Sequence, residues 1–126
     1  MTGKPWQIPY NGWTWRERCA TIPIQEEAFR SGKIARPTLC SICGFVGIGK
    51  HDGRWQIIAH VERYDLPLEL LPVCRPCHAA LHGRFVNLDR WQRLVSRHGR
   101  EDAWFTKLSL DPRAQWQPFE ITYPNV

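Results

Sequence analysis

The sequence predicts a small α+β domain, and three observations carry that prediction. A helix-start signature sits in the first third, a turn-bounded pair of strand-like runs occupies the centre, and two stretches of helical periodicity follow position 74. The length, 126 residues, suits one domain with a modest core. Residues 1–38 read as a helical extension, 39–86 as the central unit, and 87–126 as a basic helix with a tail. Ten prolines and nine glycines predict a loop-rich fold that profits from a metal staple.

The elements follow in order. Thr14-Trp15-Arg16-Glu17 fits a capping box, in which hydroxyl and carboxylate each satisfy an orphan amide at a helix start. Pro23 opens a second helix through Ile24, Ala28 and Phe29 that stops near Gly32. Phe45 to Gly49 reads as a short strand. Asp52-Gly53 is a turn signal, and Arg54 to Val61 is the return strand, with His60 near its end. Residues 65–72 read as a loop. Pro76 suits the first turn of a short helix ending at Gly83. Asn87 then caps a helix whose apolar stripe is Leu88, Trp91, Leu94 and Val95, with Gly99 as its terminator. A terminal strand is expected at Phe119 to Tyr123. The seven tryptophans read as core indoles.

The chemistry is concentrated in the centre. Cys40-Ser-Ile-Cys43 and Cys74-Arg-Pro-Cys77 are two Cys-x-x-Cys pairs separated by residues 44–73. A two-residue knuckle lets both thiolates reach one tetrahedral ion, so the pairs predict a structural Zn²⁺ site closing a long loop. Redox chemistry needs one dithiol rather than two. Cys74-Arg-Pro-Cys77-His78 also matches a covalent haem signature, but the chain shows no leader for export and its lone methionine is Met1. Cys19, without a partner, reads as a small buried residue.

Zinc held by four thiolates needs no imidazole, yet His60, His78 and His82 accompany the knuckles. His78 and His82, four apart on a helix, project from one face, and the three together predict a second site. Net charge is +5, and Arg75 to Arg100 carries six arginines against the single acid Asp89. Arg84, Arg90, Arg93 and Arg97 are therefore candidate phosphate contacts for a nucleic-acid partner, with Arg75 a weaker one. With no apolar leader and no bilayer-length run, the expectation is a cytoplasmic protein that does not enter a membrane.

From Leu39 to Phe85 the order of these residues resembles the HNH endonuclease family of the ββα-metal fold. The resemblance rests on Cys40-Ser-Ile-Cys43-Gly44, on Ile58-Ala59-His60-Val61, on Glu69-Leu-Leu-Pro-Val-Cys74, and on Cys77-His78-Ala-Ala-Leu-His82. It implies a zinc-stabilised ββα-metal core flanked by helices. It further implies that His60 is the general base, with His78 and His82 as ligands of a catalytic Mg²⁺ or Mn²⁺. The implied reaction is phosphodiester hydrolysis, DNA being the first expected substrate, leaving 5′-phosphate and 3′-hydroxyl ends. The chain departs from the family at Ala59, where His or Asp is usual, and at Glu69, where Asn orients the base. A carboxylate at Glu69 is expected to hold His60 instead, and Glu69 or Glu62 to replace the missing ligand. A catalytically inactive DNA- or RNA-binding module is the alternative, and a zinc-ribbon adaptor for another protein is a third reading.

Overall fold

The computed structural model describes residues 10, 12–85, 87–98, 104 and 108. The expected terminal strand and the Gly99 terminator lie outside the described residues. What is described is a mixture of helices and small antiparallel strand pairs, an α+β arrangement.

Helix α1 (Trp15–Cys19) begins with both hydrogen bonds of the expected capping box: Glu17 N–H donates to Thr14 Oγ1, and Thr14 N–H donates to Glu17 Oε1. Helix α2 (Thr21–Arg30) starts two residues ahead of Pro23, which sits in the first turn where its missing N–H costs no helical bond. It ends at Ser31, followed by Gly32 at φ +79°. Cys19 is exposed rather than buried, because α1 buries none of its residues.

The centre differs from the expected short strand at Phe45 to Gly49 and return strand at Arg54 to Val61. Cys40 N–H donates to the Phe45 carbonyl and Gly47 N–H to that of Thr38, so residues 38–47 fold on themselves around the first knuckle. Strands β1 (Lys50–His51) and β2 (Arg54–Trp55) form a tight hairpin. Its turn residues Asp52 and Gly53 both have positive φ, 54° and 75°, the geometry that matches strand twist in two-residue hairpins. The expected return strand is then broken at Gln56, whose backbone and side chain bond back to Gly49 and Ile48. Strand β3 (Ile57–His60) turns inward and pairs instead with β4 (Leu71–Cys74), a strand where the sequence suggests a loop.

Strand β4 runs directly into helix α3 (Arg75–His82), which carries Pro76 in its first turn and ends at Gly83. A 3₁₀ turn (Gly83–Phe85) leads to helix α4 (Leu88–His98), where Asn87 Oδ1 accepts the Arg90 N–H. The core gathers Ile57, Leu71, Val73, Leu81, Trp91 and Val95 around the buried cysteines. Trp91 is fully buried and meets Trp104 edge to face at 6.1 Å. In the β3–β4 ladder, Ile57 pairs with Cys74 at one end and His60 with Leu71 at the other. That register fixes a cysteine and a histidine about 10 Å apart along the strands.

Candidate metal centre

The four cysteines converge. Cys40 and Cys43 come from the first knuckle, Cys74 from the end of β4 and Cys77 from the first turn of α3, with every Sγ within 4.8 Å of the others. Cys43 Sγ and Cys74 Sγ are 3.6 Å apart. Four thiolates at zinc-like bond lengths of about 2.3 Å would sit about 3.8 Å apart along each tetrahedral edge, a spacing the Cys43–Cys74 pair matches. All four are free thiols rather than disulfides. A hydrogen bond from the Cys77 thiol, helped by backbone N–H groups, lowers Cys40 to about 4. Its bond to Cys40 and burial push Cys77 up, and burial raises Cys74 to about 11. Four sulfurs brought this close without a disulfide are a donor set suited to a cation.

The second cluster lies beside the first. Cys77 and His78 are neighbours on α3, so one helix serves both sites from adjacent faces. His60 closes from the end of β3, and the donor nitrogens of His60, His78 and His82 lie within 4.8 Å of one another. Ring centroids are 5.3 Å apart for His60–His78, 5.0 Å for His60–His82 and 4.3 Å for His78–His82. Burial lowers His78 to about 3, with the neighbouring His60 adding to it, and pushes His82 down for the same two reasons. Both rings are therefore held neutral, the form that binds metal.

His60 is held from behind by a carboxylate, but not the expected one. Glu69 is exposed, and Arg63 feels its charge. Glu62 is the residue against His60: its Oε2 accepts the His60 Nε2–H at 2.5 Å, with both side chains almost fully buried. Tyr10 O–H donates to the same Oε2 at 2.5 Å, and Arg84 Nη2 donates to Oε1 at 2.7 Å. Arg84 Nη1 donates to Tyr10 Oη and to the Leu81 carbonyl. Burial pushes the Glu62 carboxyl up, but Arg84 and His60 outweigh it and hold it below its ordinary value. That hydrogen bond fixes the plane of the His60 ring beside His78 and His82.

This arrangement corrects one expectation outright. Arg84 does not present its charge to solvent; its side chain is 0% exposed and neutralises Glu62, so it is not free to meet a phosphate. Arg90, Arg93 and Arg97 do lie exposed on α4. Tyr10, which no spacing rule singles out, covers the histidines with its ring 4.2 Å from that of His82. Ala59 brings no donor, and the protein-family models, curated proteins and solved structures give no match to the chain. Among the described residues no helix is long and apolar enough to cross a membrane.

Proposed function

We propose that the chain is a zinc-stapled, HNH-like nucleic-acid-binding protein whose histidine cluster hydrolyses phosphodiester bonds with a divalent ion. The observation that carries this reading is the convergence of three neutral or carboxylate-oriented imidazoles beside a four-cysteine site. The order β3–β4–α3, with thiols and histidines in the family's register, supports a ββα-metal assignment. Zinc is the ion that best suits four thiolates at tetrahedral spacing.

At the histidine site, nitrogen donors favour a transition ion such as Mn²⁺, Ni²⁺ or Zn²⁺ over Mg²⁺, which prefers oxygen ligands. A bound ion would supply Lewis-acid stabilisation of the charge that builds on the phosphate. His78 and His82 hold it from α3. His60, with a side chain only 2% exposed and one nitrogen tied to Glu62, fits a third ligand better than a mobile general base. Glu62 orients that ring, and Arg84 and Tyr10 fix Glu62. Such carboxylate–histidine pairs raise ligand basicity and metal affinity.

The test combines metal counting with plasmid nicking in Mg²⁺, Mn²⁺, Ni²⁺ or Zn²⁺. Wild type is expected to bind two ions per chain and to nick best with a transition ion. His60→Ala is expected to lose both the second ion and the nicking. Retention of the second ion with loss of nicking would restore His60 to the base role. Two-ion binding with no nicking in any metal would leave the inactive binding module.

A further inference from the structure

One cleft of about 1100 Å³ gathers five arginines beside Cys43, Cys74 and Cys77 of the cysteine cluster. It is lined by the first knuckle and hairpin (Phe45, Arg54), by the start of α3 (Arg75, His78) and by α4 (Arg90, Arg93, Arg97). Among the described residues no carboxylate lines it. Elsewhere Arg30, Arg36, Arg63 and Arg84 each meet an acid. Among the described residues no salt bridge reaches Arg54, Arg75, Arg90, Arg93 or Arg97. Five guanidinium groups around one concavity repel one another and attract a polyanion.

Two features narrow the partner. The arginines of α4 recur at 90, 93 and 97, a row about 10 Å long at 1.5 Å per residue, or about three nucleotide steps of one strand. Phe45, 47% exposed, lines the same cleft. An exposed phenyl ring in an arginine-lined cleft can stack on a base face, and bases offer their faces only when unpaired.

We propose that this cleft binds single-stranded nucleic acid. Arginines of both walls take successive phosphates, Phe45 stacks on a base, and the strand passes His78 at the edge of the histidine cluster. The inference rests on the nucleic-acid part of the function proposed above and not on hydrolysis.

The experiment is fluorescence anisotropy on the full zinc-loaded chain, without other divalent ions. The probes are an oligo-dT and an oligo-rU of about 12 nucleotides and a duplex of the same length, a size within one single-strand binding site. Single strand is expected to bind at least about ten-fold tighter than duplex, and whichever strand binds better identifies the sugar. Five phosphate contacts give a salt slope of about −3.5, or about a 100-fold loss of affinity between about 50 and 200 mM salt. Arg54→Gln and Arg93→Gln, on opposite walls, should each flatten that slope by about 0.7, whereas Arg16→Gln outside the cleft should not. Phe45→Leu should weaken binding about 5- to 150-fold with the slope unchanged. Circular dichroism and zinc content verify that each variant is folded. Duplex bound as tightly as single strand, or an inert Phe45→Leu, overturns the single-strand proposal while leaving nucleic-acid binding intact. No salt-dependent binding to any probe overturns both.

Discussion

Replacing Arg84 by Met should be among the most damaging single changes in the described fold that touches neither metal cluster. The guanidinium is fully buried and donates to Glu62 Oε1, Tyr10 Oη and the Leu81 carbonyl. Methionine keeps much of the stem's volume but strands Glu62, itself only 4% exposed, without its neutralising cation. Breaking one side of a buried ion pair costs about 3–5 kcal/mol. The lost charged hydrogen bond to Glu62 by itself accounts for about 1.5–3 kcal/mol of that cost. Against a total stability of about 5–15 kcal/mol, that loss brings the domain close to unfolding. Urea denaturation of zinc-loaded protein measures it as a fall in midpoint at constant slope. The exposed pair Arg30–Glu27, with side chains 73% and 60% exposed, is the control, and Arg30→Ala should cost under about 1 kcal/mol. Glu62→Gln combined with Arg84→Met should cost less than the sum of the singles, since removing both charges removes the stranded one. A loss at Arg84 no larger than that at Arg30, or strict additivity, would refute the claim that this pair is buried and coupled.

Further expectations concern the metal, the indole core and alkaline pH. Stripping the zinc proposed at the four cysteines with a chelator should unfold the centre, because a structural zinc site contributes about 10–16 kcal/mol and Cys40, Cys74 and Cys77 belong to the core itself; an unchanged near-ultraviolet dichroism spectrum would argue against this. Trp91→Ala should cost about 3–5 kcal/mol and expose the Trp104 ring, seen as a red shift of tryptophan fluorescence, since the two rings pack together. Burial raises Tyr64 above its ordinary value, ahead of the opposing effect of Arg18. The folded state therefore keeps its proton after the unfolded chain has begun to lose it. Stability from this group is complete below about pH 10 and declines above it, by about 1.4 kcal/mol per pH unit, until the folded group ionises. Tyr64→Phe should abolish that part of the alkaline slope, which urea midpoints between about pH 9.5 and 11 would detect.

The features legible in the sequence were those set by local geometry. A capping box, a Pro in a first turn and an Asp-Gly hairpin each satisfy backbone groups a few residues away, and all three appear in the structure. The Cys-x-x-Cys spacing and the four-residue step from His78 to His82 were equally readable, because a knuckle and a helix fix those distances by themselves. Less legible was where β3 finds its partner. The run from Arg54 to Val61 reads as one strand, yet Gln56 bonds back to the hairpin and frees Ile57–His60 to pair with Leu71–Cys74. Nothing in a leucine- and proline-rich segment announces that ladder.

Residue types and spacing alone thus determined that four thiols and three imidazoles could form two adjacent clusters. The chain's folding in three dimensions decided which carboxylate serves them: Glu62, two residues beyond His60, and not the exposed Glu69. It also sorted the arginines, burying Arg84 beneath Tyr10 while leaving Arg90, Arg93 and Arg97 in solvent. The physical reason is the range over which each effect acts. Ligand spacing is imposed by the backbone within one or two turns, whereas a charge is neutralised or left free by groups as distant in sequence as Tyr10 and Arg84, which only packing brings together.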